Sequence, residues 1–144
     1  MAITSAICNS FKVELLKGEH NFTASTGQTY YIALFTSSAN LGASTTIYST
    51  TNEIANDSGS AYTAGGEALT NVTPVLSGST AVVDFEDASW TDATFTANGA
   101  LIYQNTTNKA VMALAFGGDK SVSNGTFTVT MPTADASNAI LRLA

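Results

Sequence analysis

The sequence predicts a mainly β protein: a two-sheet β-sandwich of jelly-roll or immunoglobulin-like topology with one N-terminal α-helix. Three observations predict this. Short runs rich in Val, Ile, Thr, Tyr and Phe alternate with clusters of Gly, Asn and Ser, at the spacing of strands and turns. Of 144 residues, 22 are Thr, 15 Ser and 22 Ala, and charged residues make up only 11%, against roughly 25% in an average soluble domain. A single stretch, near the N-terminus, repeats its apolar residues at helical spacing. The length fits one domain spanning 1–144.

The helix is expected over about 5–17. Cys8, Phe11 and Leu15 recur at i, i+3 and i+7, with Ile7 and Leu16 flanking the stripe. Thr4 or Ser5 caps its start, and Gly18 after Lys17 stops it. The first strand, Gln28 to Thr36, has apolar residues on both faces, which suits a strand covered on both sides. A passage rich in Ser, Thr, Asn and Gly follows from Ser37 to Gly66, broken by Ile47-Tyr48 and Tyr62. Loops of that length tend to have a task. Later strands are expected at about Ala68–Leu76, Thr80–Glu86, Thr91–Ala97, Ala100–Asn105, Ala110–Phe116, Thr126–Met131 and Ala139–Leu143. Turns are expected at 77–79, Asn98-Gly99, 105–108, 117–119 and 123–125.

Composition also excludes function classes. A net charge of −6, with basic residues only at 12, 17, 109, 120 and 142, provides no basic stripe for nucleic acid. No apolar run reaches transmembrane length, and the first residues are too polar for a secretion signal. These features predict a soluble protein made in the cytoplasm and no membrane partner. Cys8 is the sole cysteine, so no intrachain disulfide forms. Five glycosylation sequons, at Asn21, Asn56, Asn71, Asn105 and Asn124, are what a chain rich in Thr and Asn produces by chance.

Reactive groups are few. Asp84, Glu86 and Asp87, with Asp92 nearby, form the densest acidic cluster. Their spacing matches no calcium loop, and solvated acids at a strand end is the simpler reading. A β-sandwich hydrolase would need two such acids facing across a cleft. His20 has no Ser or Cys nucleophile in a recognisable setting, and one His with one Cys cannot build an ordinary zinc site. Gly117-Gly118-Asp119-Lys120 lacks the rest of a phosphate loop. Trp90, Phe95, Tyr103, Phe116 and Phe127 read as core, leaving Tyr30, Tyr31, Tyr48 and Tyr62 as candidates for exposed or interfacial roles. No catalytic, cofactor-binding or metal-ligating residue is expected.

Several segments carry a resemblance. They are Phe11-Lys12, Glu14-Leu-Leu-Lys17, His20-Asn-Phe22, Tyr31-Ile-Ala-Leu-Phe-Thr-Ser-Ser38, Thr50-Thr-Asn-Glu53 and Tyr62-Thr-Ala-Gly-Gly66. Gly99-Ala-Leu-Ile-Tyr103, Phe116-Gly-Gly-Asp-Lys120 and the run from Phe127 to Leu143 complete the set. Across nearly its whole length the chain resembles small structural proteins of tailed bacteriophages, many of them marine or cyanobacterial. The resemblance implies a virion component without catalytic activity. The form it most suggests is a capsid decoration (cement) protein on the capsid exterior, with the major capsid protein and other copies of itself as partners. The alternative is a tail or fibre module that binds a receptor or glycan. The expected interface residues are Phe11, Leu15, Tyr48 and Tyr62, on the helix and in the long Ser37–Gly66 passage.

Overall fold

Antiparallel pairing organises the chain into two sheets. The computed structural model describes residues 2–55 and 61–144. A five-stranded sheet runs in the order β1-β7-β6-β2-β3 and a three-stranded sheet in the order β4-β5-β8. Their strands are β1 (Ala6–Ile7), β2 (Tyr30–Phe35), β3 (Glu67–Ala68), β4 (Asn71–Ser77), β5 (Thr80–Phe85), β6 (Ala88–Gln104), β7 (Ala110–Val129) and β8 (Leu141–Leu143). With one short helix, α1 (Asn9–Leu16), this is the mainly β, sandwich-like class that the sequence predicts.

The helix is shorter than expected because the chain before it is a strand. Ala6 and Ile7 pair with Ala113 and Met112, and Cys8 N–H donates to the Val111 carbonyl at 2.9 Å. Cys8 is therefore an extended N-cap, not a member of the helical stripe. The expected strand at 68–76 is likewise divided. Residues 67–68 pair with β2, and after Leu69-Thr70 the chain crosses to the smaller sheet as β4.

Two pairs of expected strands fuse. β6 runs through Asn98-Gly99, and β7 runs through 117–118 and 123–125. Gly99 answers a close approach, not a turn: a Cβ there would lie 2.5 Å from the Leu114 carbonyl oxygen and 2.7 Å from Ile3 Cδ1. Gly117 (φ 77°) and Gly118 (φ 137°) belong to a bulge in which residues 116–119 oppose Asn98 alone. Asn124 (φ 48°) makes a second bulge opposite Thr94. The only reversal between these long strands is the tight 105–108 turn, closed by Asn108 N–H to the Gln104 carbonyl at 2.8 Å.

The register of β2 on β6 explains the double-sided burial of β2. Tyr30, Ile32 and Leu34 share one face with Gln104, Ile102 and Ala100; Tyr31, Ala33 and Phe35 share the other with Tyr103, Leu101 and Gly99. The first face meets Phe22 and Phe85, with Tyr30 ring centroids at 4.5 and 6.0 Å. The second is roofed by the long loop, where Tyr48 stacks on Tyr103 at 4.2 Å. Single bridges (Ile3 to Leu41, Phe35 to Glu53, Ile47 to Lys109) tie that loop down.

Candidate functional site

Helix α1 meets the small sheet incompletely, and the gap between them is a concavity. It is an apolar groove of about 570 Å³ between α1 and strands β5 and β8. Phe11, Phe22, Val83 and Leu141 line it, with Leu15 and Leu16 on the helix side and Ala81 and Leu143 on the sheet side. Lys12 and Arg142 also line it, and no carboxylate pairs with either among the described residues. Leu16 is 88% exposed and Leu143 63%. Single exposed apolar side chains are ordinary, but side chains converging on an apolar groove mark a contact surface.

A buried polar relay sets the position of α1. His20 Nε2 lies 3.0 Å from Glu14 Oε1, while Nδ1 lies 3.1 Å from Tyr30 Oη and 3.2 Å from Gln104 Nε2. The Glu14 carboxylate can only accept, so Nε2 carries the proton and Nδ1 accepts. Gln104 Nε2 also donates to the Glu19 carbonyl at 2.9 Å, and Glu19 pairs with Lys17 and Lys109. The hydrogen bonds from Lys109 and Lys17 pull the Glu19 carboxyl down to about 2. Burial pushes the Tyr30 hydroxyl up to about 12. Burial, reinforced by the Glu14 charge, pushes the Cys8 thiol up to about 11, which suppresses thiolate chemistry. Phe11 packs on His20 and Phe22, with centroids at 4.7 and 5.9 Å. Helix, β2 and β6 are thus locked together.

A second polar cluster holds the long loop. The Glu53 carboxylate accepts from Tyr48 Oη (2.6 Å), Tyr62 Oη (2.6 Å) and the Gly65 N–H (2.7 Å). Tyr62 Oη in turn accepts from the Leu34 N–H at 2.9 Å, and Tyr103 Oη donates to the Gly65 carbonyl at 2.6 Å. The Leu34 carbonyl accepts from Ile54 N–H, so the loop substitutes for a neighbouring strand where β3 stops. Burial, then the hydrogen bond to Glu53, raises the titration of both Tyr48 and Tyr62 well above the ordinary tyrosine range.

The four expected interface residues divide between these places. Phe11 and Tyr62 are each 1% exposed and serve the chain's own core. Leu15 is half-buried on the groove wall, and Tyr48 is half-buried in the Glu53 cluster. Leu16, expected to flank the buried stripe, instead projects into solvent: it sits about 100° around the helix from Leu15. Asp84, Glu86 and Asp87 do not converge, and Asp87 Oδ1 accepts from Met131 N–H at 2.7 Å. Among the described residues no group of three or more His, Cys, Asp or Glu is placed to hold a metal ion. Nor is any helix long and apolar enough to cross a membrane. The sequon at Asn56 lies outside the described residues.

Sequence reasoning missed Glu53, whose partners are brought together only by the fold. One signal was present: no other charged residue occurs between Glu19 and Glu53, so a carboxylate there invites a search for donors. No protein-family model, curated protein or solved structure matches the chain.

Proposed function

We propose that the protein is a non-enzymatic virion structural component: a capsid decoration protein that binds the outer surface of a phage shell, through the major capsid protein and through its own copies. The observation that carries this reading is the apolar groove with its projecting leucines, left open on a domain whose carboxylate–histidine and carboxylate–tyrosine clusters are occupied in holding the fold. Such a surface suits packing against protein. A Thr- and Ser-rich exterior adds to it, because short side chains lose little conformational freedom when covered. Many copies on a lattice turn modest contacts into firm attachment.

Cosedimentation with empty shells and, separately, with tails of a host-matched phage tests the reading. Saturable binding to shells in hundreds of copies is the expected result. Binding to tails alone, in a handful of copies, overturns it in favour of a tail or fibre module.

A further inference from the structure

The groove carries a more specific consequence for how copies meet. In the small sheet, Leu76 pairs with Ala81 and Ala81 with Leu143. Directly opposed residues share a face, so the three form one row with the small Ala81 between two leucines. That row is a notch. On α1, across the same groove, Leu16 stands almost wholly in solvent. One patch therefore holds both a projection and a recess of matching chemistry, which is the requirement for an isologous two-fold contact.

We infer that this patch is a two-fold interface between copies of the chain, with Leu16 of each copy seated over Ala81 of the other, between its Leu76 and Leu143. The inference deepens the multi-copy reading above and rests on it for its place in the virion. Three observations select a second copy as occupant. The first is area. Leu16, Leu76 and Leu143, at 88%, 71% and 63% exposure, present on the order of 300 Å² of apolar surface. A standard interface takes about 800 Å² per partner, of which roughly 450 Å² is apolar; the leucines cover about two-thirds of that, and the rest of the groove lining adds to it.

The second is that a small apolar ligand filling the groove would leave Leu76, which does not line it, in water, whereas a protein surface covers projection and recess together. The third is charge. The chain carries −6, but the groove lining holds Lys12 and Arg142 and no carboxylate. Two acidic copies that meet here therefore set no lining carboxylates against each other. Strand-edge association is a poorer route. Pro74 and a register shift interrupt β4, and three register shifts interrupt β7, all devices that blunt an edge.

The test is sedimentation velocity of the full chain from about 1 to 500 µM, a range that brackets weak to moderate protein association. A concentration-dependent species of twice the chain mass is expected. Leu16→Asp, at a solvated position, is expected to weaken it on the order of 30-fold or more, as central hot spots do. Ala81→Leu, which fills the notch, is expected to do the same. Val13→Asp, on the same helix but not lining the groove, is expected to leave it unchanged. A monomer across the whole range overturns the inference, as does a dimer indifferent to Leu16→Asp. A co-purified acyl-chain ligand seen by native mass spectrometry, and lost with Ala81→Leu, also overturns it. Shell binding by a strictly monomeric protein would sink the pairing and leave the virion reading standing; a dimer that ignores shells would do the reverse.

Discussion

The two flanks of the five-stranded sheet are finished in opposite ways. On one, the long loop roofs the sheet and closes with polar chemistry: a single carboxylate takes three hydrogen bonds, two from tyrosine hydroxyls and one from a backbone amide. On the other, α1 and the small sheet lean together over an apolar gap and leave three leucines in water. On the first flank the Glu53 carboxylate and the tyrosine hydroxyls around it are matched with one another and with backbone groups. The second still holds apolar area to bury. The difference teaches where the molecule is complete alone and where it is not.

The largest expected effect comes from removing the floor of the open flank. Phe11→Ala leaves a cavity among Phe22, His20 and the helix, and should cost about 3–5 kcal/mol in urea-unfolding free energy. An outcome below about 1 kcal/mol would mean that α1 is not anchored there. On the closed flank, Glu53→Ala strips the acceptor from Tyr48, Tyr62 and Gly65. A loss of about 2–3 kcal/mol is expected, with faster proteolysis confined to the long loop. Uniform cleavage throughout the chain would argue against a local staple.

Acid sharpens the comparison. The Glu19 carboxyl is held low by Lys109 and Lys17, near 2 against an ordinary value of about 4.3. A carboxyl depressed in the folded state contributes stability that is present above its unfolded value and lost as pH falls toward the folded one. Stability should therefore decline between about pH 4.5 and 2, and Glu19→Gln should flatten part of that decline. An unchanged acid slope in the variant would show that this pair is not linked to folding. The smallest effect belongs to the exposed edge of the groove: Leu16→Asp should change unfolding free energy by no more than about 0.5 kcal/mol under monomeric conditions, measured on the same urea curves.

How much of this was legible depended on the range of the signal. Short-range patterns were read correctly: the two-sided strand at β2, the 105–108 turn, and the helix stop at Gly18. Asn98-Gly99 and Gly117-Gly118 were not, because a glycine required by a neighbouring backbone and a glycine in a bulge look the same in sequence as one in a turn. The helix boundary shifted because pairing with Met112 and Ala113, over a hundred residues away, outweighed a local stripe. On the helix, the expected interface residues Phe11 and Leu15 are respectively buried in the chain's own core and half-buried on the groove wall. Phe11 and Leu15 form the periodic stripe, and periodicity marks what the chain buries against itself. Leu16, off the stripe, stays in water. The Glu53 cluster needed residues 48, 53, 62, 65 and 103 in one place, and no spacing rule foretells that.

The 105–108 turn has a kinetic consequence. It is the only reversal between the two longest strands, so their pairing can zip outward from one closed loop of a few residues. The pairings that complete the open flank span far more chain: Ala6–Ile7 must find Met112–Ala113, and Leu141–Leu143 must find Ala81–Val83. Contacts with that separation form late. We therefore expect mutations in the central hairpin to slow refolding, and mutations in β1 or β8 chiefly to speed unfolding. Strands β1 and β8 would then be the last to arrive, and the surface they build would come into being only once the central hairpin is in place.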